Sequence, residues 1–407
     1  RIIMQAMKNS VRWAQMKDMD KSEEDIIASF KVKTKMRVFT WKGERDTTMT
    51  PLDSIRYYKH FLQSGLMSME PQTGAIKAWV GGINYKYFQY DHVGQGARQV
   101  GSTFKPFVYA TAIEELNMSP CDSILDGPFM IHKGRHHVTE DWEPRNSDYR
   151  YRGMVTLKQA LAASINTVSA KLIDRTSPEA VVELTKKLGV KTEIPVQPSI
   201  ALGAVDITVE DMVAAYSTFA NQGVYVKPQF LSRIENKSGE VIYEPIPESH
   251  DVLNKDIAFA VIKLLQGVTE SGSGVRLRTQ GGGSGDNRWT GYPYMFTNPI
   301  AGKTGTTQNQ SDGWFMGMVP NLVTGVWVGC EDRSARFKSL TYGQGATAAL
   351  PVWGYYMKKC YADKNLQISK SEFERPANLS IKVDCYARPV IVKDTTQTEQ
   401  NTDEFEL

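Results

Sequence analysis

The spacing of apolar positions changes several times along the chain, and each change marks an element. DSIRYYKHFLQSG (53–65) carries apolar residues at helical spacing and predicts a helix that stops at Gly65. LMSMEPQTGAIKAWVGG (66–82) then reads as two strands around a Pro-Gln-Thr-Gly turn. In the middle of the chain the helical period dominates. TLKQALAASINTVSAKLIDR (156–175) is one such stretch, and SPEAVVELTKKLG (177–189) starts on a Ser-Pro pair and ends at a glycine, as helix caps prefer. Late in the chain PIAGKTGTT, GWFMGMV and LVTGVWVGC are β-prone runs separated by turn residues, the pattern of an antiparallel meander.

Strands early and late with helices between them argue for an α+β architecture, one sheet whose edges come from both ends of the domain, and against a doubly wound parallel sheet. Residues 1–50 mix charge and hydrophobes. With KMRVFTWKGERDTTMT folded around a Lys-Gly-Glu turn, they predict a small flanking or linker element without a separate core. The glycine-rich stretch 271–285 predicts a mobile loop, and the polar, acidic DTTQTEQNTDEFEL a disordered end. The expected division is a linker region over 1–50, a main domain over 51–360 and a C-terminal extension over 361–407. No internal repeat is visible.

Composition narrows the function classes. The 407 residues are 41% hydrophobic, enough for a large core, and the formal charge is only +3. Lys and Arg are dispersed, so no basic stripe points to nucleic acid. Cys121, Cys330, Cys360 and Cys385 lie far apart without metal-knuckle spacing and leave the redox compartment open. No apolar run approaches the ~20 residues of a membrane span and RIIMQAMKNS lacks signal-peptide features, so these residues read as soluble.

The candidate chemistry begins at QVGSTFKPF. At positions i and i+3 of a helix, Ser102 and Lys105 share a face, while Phe104, Phe107 and Val108 point to the core. Pro106 is tolerated only in a first turn, which places the helix start at or near Ser102. A serine there feels the positive end of the helix dipole, and a neutral Lys105 could take its proton. An isolated Ser-x-x-Lys is most often a cap and a solvated lysine. This one has company. Ser164 and Asn166 interrupt a helical pattern where core residues are favoured, marking either a proton relay or a helix end. Lys303, Thr304, Gly305 and Thr306 put two hydroxyls and a lysine on a strand whose glycine allows close approach.

Ser-x-x-Lys, Ser-x-Asn and Lys-Thr-Gly in this order form a known active-site set. Together with GSTFKPFVYATAIE, YRGMVTLKQALAASINT and AGKTGTTQNQSDGWFMG, the chain resembles the transpeptidase portion of bifunctional (class A) penicillin-binding proteins over roughly residues 30–358. The resemblance implies a five-stranded antiparallel sheet flanked by helices with a mostly helical subdomain. It implies D,D-transpeptidase activity on peptidoglycan stem peptides through a serine acyl-enzyme, with covalent inhibition by β-lactams and no cofactor or metal. Ser102 would be the nucleophile and Lys105 its base, with Ser164 and Asn166 relaying protons and holding the substrate amide. Lys303 and Thr304 would meet the terminal carboxylate or assist Ser164, Gly305 would let substrate lie along the strand, and the Thr306 and Ser102 amides would form the oxyanion hole. The family's glycosyltransferase domain and membrane helix are not seen in these residues, so no glycan polymerisation is expected of them; the parent would be membrane-anchored, at the periplasmic face, with cell-wall synthesis partners.

Two other readings compete. A hydrolase would hand the acyl group to water, but Glu193 lacks the Leu-Asn that follows the catalytic glutamate of class A β-lactamases. A penicillin-recognising sensor would bind without transfer, against the full set of catalytic positions. HKGRHH, with His132, His136 and His137 near Cys121 and Asp141, is explained by a basic loop. Trp142 and NSDYRYRG could line the cleft rim, though tryptophan more often serves core or surface packing, and no catalytic role is read for them.

Overall fold

The computed structural model describes residues 1–278 and 294–385 of the chain. Three short helices, α1 (Ile2–Lys8), α2 (Val11–Asp18) and α3 (Glu23–Ser29), precede a hairpin of β1 (Thr34–Thr40) and β2 (Gly43–Met49). Ser10 and Ser22 cap the second and third by accepting the amides of Trp13 and Asp25. Met7, Trp13, Ile26 and Phe30 bury together, with Leu52 and Ile55 of α4 (Pro51–Lys59) against them. This stretch therefore has a small core of its own, where the sequence pointed to none: four large side chains on short helices suffice once α4 closes the cluster.

β3 (Leu62–Met69) and β4 (Ile76–Val80) follow. The helix expected to reach Gly65 ends at Lys59; Gly65 lies inside β3 opposite Trp327, where a Cβ would sit 2.9 Å from the His92 carbonyl. Gly65 thus marks a close backbone approach, Leu62 belongs to the strand, and Phe61 packs on Tyr57 and Tyr58 of α4.

The central helix α5 (Lys105–Leu116) is buried from Lys105 through Ile113. β5 (Ser123–Asp126) pairs with β6 (Gly153–Thr156), and α6 (Leu157–Ala162), opened by a Thr156–Gln159 capping box, leads to α7 (Asn166–Thr176) and α8 (Pro178–Lys187). Then come α9 (Val209–Ala220) and α10 (Lys255–Ser271), followed by β7 (Ala301–Thr306), β8 (Asp312–Val319), β9 (Leu322–Cys330) and α11 (Gly345–Ala362).

The early and late strands form one five-stranded antiparallel sheet in the order β7-β8-β9-β3-β4. Trp314, Met316, Val323 and Trp327 face the core shared with α5, α9 and α10. Phe315, Val326 and Val328 face Leu350, Trp353 and Met357 of α11. Because both faces are covered, every residue of β8 and β9 is buried, which is why their sequences read as apolar and glycine with little polar alternation.

The first part of the glycine-rich stretch is packed, contrary to the expected mobile loop. Ser271 ends α10, the Ser273 amide donates to the Ala162 carbonyl, and Leu277 is fully buried. Its backbone finds partners in α6, which local composition does not reveal. The remainder of that stretch (279–285) and the polar end (394–407) lie outside the described residues. After α11 the chain crosses back over the helices: Phe373 is buried, Ser380 donates to the Asp256 carboxylate, and Cys385 is disulfide-bonded to Cys121. Cys330 and Cys360 are buried thiols. No described helix is long and apolar enough to cross a membrane.

Candidate active site

Ser102 is half-buried in a 3-10 turn, Gly101–Phe104, that runs directly into α5, with Phe104 as the α-helical N-cap and Pro106 in the first turn. The turn presses on the edge strand β7. A Cβ on Gly101 (φ +54°) would lie 2.7 Å from the Thr306 carbonyl, and one on Gly305 would lie 2.6 Å from the Val100 carbonyl and 2.9 Å from the Thr103 methyl. The space opened by Gly305 is thus filled by the protein's own backbone, which brings Thr306 beside Ser102. We expect Gly101→Ala to cost about 1–3 kcal/mol of stability, from a strained φ and a carbonyl clash. Thermal melting checks this loss.

The helical reading of 156–175 breaks in two at this site. Ser164 takes a left-handed conformation (φ 56°) between α6 and α7, so the unfavourable residues mark a helix end and the site at once. The turn aims Ser164 at Lys105. The Lys105 Nζ, fully buried, donates to the Ser164 carbonyl at 2.6 Å, to Asn166 Oδ1 at 2.7 Å and to Ser164 Oγ at 3.3 Å. Lys303, equally buried, donates to the same Ser164 Oγ at 3.0 Å and to the Thr304 carbonyl at 3.0 Å. With two donors on its lone pairs, the Ser164 hydroxyl is left to donate its own proton elsewhere.

Both amines sit in an environment that disfavours their charge. Burial, and then the Lys303 ammonium, hold Lys105 well below the usual lysine range. Burial alone lowers Lys303 to about 7. Thr304 Oγ1 lies 2.6 Å from Ser273 Oγ, and Thr306 Oγ1 accepts the Gly345 amide at 3.0 Å, so the hydroxyls on this strand face are held in place. The eight expected residues therefore converge on one junction of α5, the α6–α7 turn and β7.

Sequence reasoning missed three supports. Ser273 was hidden in a glycine-rich stretch. Arg98 and Asp312, both buried, bond at 2.7 Å, and Trp327 Nε1 donates to the same carboxylate at 2.9 Å, tying the chain ahead of Ser102 to the start of β8. Asn146 and Asp126 lie behind Asn166; an asparagine in EPRN gave no periodic signal. Glu193 is exposed in the loop after α8, outside the lysine network. His136 and His132 pair separately, with Asp174 at 3.1 Å and Asp141 at 3.6 Å, and Trp142 joins Ile131 in an isolated bridge.

A central helix opening on Ser-x-x-Lys, beside a five-stranded sheet with Lys-Thr-Gly on its edge strand, defines a class of serine acyl-transfer fold. The family model "Penicillin binding protein transpeptidase domain" matches residues 65–330, and "Penicillin-binding protein middle domain" matches residues 1–62. The chain belongs to the penicillin-binding protein transpeptidases. It is 34% identical over 340 residues to penicillin-binding protein 1A of Aquifex aeolicus, covering 82% of this chain and 42% of that relative, so it spans less than half of that relative's length. The crystal structure of penicillin-binding protein 1A from Haemophilus influenzae shares the fold (TM-score 0.67, 24% identity, 84% of this chain and 52% of that one). So does Mycobacterium tuberculosis PonA1 in complex with penicillin V (TM-score 0.63, 20% identity, 91% and 95% coverage).

Proposed function

We propose that Ser102 attacks the penultimate D-Ala carbonyl of a peptidoglycan stem peptide while the neutral Lys105 amine takes its proton. The ester to Ser102 forms, the amide bond to the last D-Ala breaks, and Lys105 passes the proton it took through the Ser164 hydroxyl to the leaving amine, with Lys303 holding Ser164 Oγ in place. An amine of a neighbouring stem peptide then attacks the ester, closing the cross-link and returning the proton to Ser102. Thr304 and Thr306 hold the donor's terminal carboxylate, and the Ser102 and Thr306 amides stabilise the oxyanion. A β-lactam enters as the donor and stays on Ser102. The observation that carries this reading is the fully buried Lys105 Nζ, held at 2.6 Å and 2.7 Å by the Ser164 carbonyl and Asn166 Oδ1 one turn from the serine.

We place this chemistry in a catalytic unit over 51–360, on the outer face of the cytoplasmic membrane, in a longer protein that works with cell-wall synthesis partners. Mass spectrometry of the penicillin-treated protein should locate one long-lived adduct on Ser102. Donor stem peptides ending in D-Ala-D-Ala, mixed with an amine acceptor, should yield cross-linked dimers. Rapid turnover of penicillin would favour a hydrolase, and acylation without dimers a sensor.

A further inference from the structure

The Ser-x-Asn segment starts a helix that lacks a cap of its own. α7 begins at Asn166, and its N-cap residue, Ile165, has no side-chain oxygen to offer the first amides. The cap comes from twenty residues upstream. Asn146 Oδ1 accepts the Asn166 amide at 2.9 Å and the Thr167 amide at 3.3 Å.

Asn146 cannot rotate away from this duty. Its Nδ2 donates to Asp126 Oδ1 at 2.8 Å and to the Arg150 carbonyl at 2.8 Å, so its oxygen must face the helix. Asp126 closes the ring by accepting the Thr167 hydroxyl at 2.6 Å, and its other oxygen takes the Arg152 amide at 2.9 Å. All three side chains are nearly or fully buried: Asn146 is 4% exposed, Asp126 1% and Thr167 0%. The same loop orients the Asn166 amide. Asn166 Nδ2 donates to the Arg145 carbonyl at 2.8 Å, which leaves Oδ1, and not the NH2, toward Lys105 at 2.7 Å.

We propose that Asn146, locked by Asp126, is a positioning residue for acylation: it caps α7 and fixes the Asn166 carbonyl on Lys105, so that the amine is aimed at Ser102. It touches neither substrate nor reacting atoms. This inference rests on the reading of Lys105 as base, and its consequence has a sign. A fixed carbonyl acceptor stabilises the ammonium form of Lys105, opposing the burial and the Lys303 charge that disfavour it. Loosening Asn166 removes that acceptor, so Lys105 should give up its proton at lower pH while transferring it less efficiently. Lys303, from β7, is the titratable group facing Lys105; Ser164 and Asn166, from the α6–α7 turn, are its neutral neighbours.

The test measures acylation by a fluorescent penicillin against pH in the full chain, with the adduct position fixed first by mass spectrometry on the unaltered protein. An adduct elsewhere than Ser102 removes the underlying reading, independently of what Asn146 does. Given a Ser102 adduct, Asn146→Ala should slow acylation at neutral pH at least tenfold, with the rising limb moved to lower pH, a change that loosened packing alone does not produce. Asn146→Ala within twofold of the unaltered protein, or slowed with its limb in place, overturns the proposal. The swap Asp126→Asn with Asn146→Asp keeps both the cap and its lock; the Arg150 carbonyl loses a donor, the Thr167 hydroxyl proton loses its acceptor, and the Arg152 guanidinium, 3.7 Å from Asp126, loses its carboxylate. In the swapped pair the carboxylate accepts the first amides of α7. The exchanged amide donates to that carboxylate and to the Thr167 hydroxyl, while its carbonyl accepts the Arg152 amide. The double variant should recover to within about threefold, with the limb restored, even where either single variant fails to fold. A double variant no better than Asn146→Ala, or no better than the worse single variant where Asn146→Ala does not fold, also overturns it.

Discussion

Lys105→Arg is expected to lower the rate of acylation by a penicillin about a thousandfold or more while leaving a folded protein. The substitution keeps hydrogen-bond donors but replaces an amine that can stand neutral and take a proton with a group that is charged throughout. A guanidinium stays protonated at every working pH, whereas burial and the neighbouring Lys303 already disfavour the lysine's charge. Loss of a general base typically costs 10²–10⁴ in rate. The upper part of that range applies here because Lys105 is fully buried and its Nζ is tied to the Ser164 carbonyl and Asn166 Oδ1, so water has no ready route to substitute. Stopped-flow labelling with a fluorescent penicillin, alongside a thermal melt, separates lost chemistry from lost fold. A near-normal labelling rate sinks the base assignment.

The three motifs were legible because the chemistry leaves local marks: a proline confined to a first turn at 106, polar residues in a helical run at 164 and 166, a glycine in a strand at 305. Their meeting was not legible from periodicity, since α5, the α6–α7 turn and β7 lie far apart in sequence and Ser164 becomes the common partner of Lys105 and Lys303 only in three dimensions. The supporting residues were harder still. Asn146 caps a helix from another loop, and Asp312 serves Arg98, 214 residues upstream, and Trp327 on the neighbouring strand β9. In each case the partner is set by topology, so the residue's own neighbourhood carries no signal. The helix misread through Gly65 shows the converse. There the apolar spacing is helical only through Lys59; from Leu62 the chain pairs with β9, and tertiary context decided. The apparent mobility of SGSG failed for a similar reason, because the Ser273 amide is satisfied by α6, the Gly272 and Gly274 amides by the Val268 carbonyl of α10, and the Ser273 hydroxyl by Thr304.

Lys303→Ala should move the rising limb of the acylation profile to higher pH, besides slowing acylation at neutral pH. Every consequence of losing that ammonium acts on Lys105 in one direction. The like charge that disfavours protonation disappears. Water entering the vacated space eases the desolvation that lowers both lysines. Ser164 Oγ, relieved of a donor, becomes a better acceptor for Lys105. Stability should respond too. In the unaltered protein Lys303 titrates near about 7, while an unfolded lysine titrates near about 10.4. Between these values the unfolded chain binds more protons, so native stability rises with pH by up to about 1.4 kcal/mol per unit from this group and is lost as pH falls toward neutrality. Denaturant titrations from pH 7 to 10 should show this slope shrink in Lys303→Ala. A limb that stays in place, or moves down, means that Lys303 does not tune Lys105 and serves only to grip the substrate.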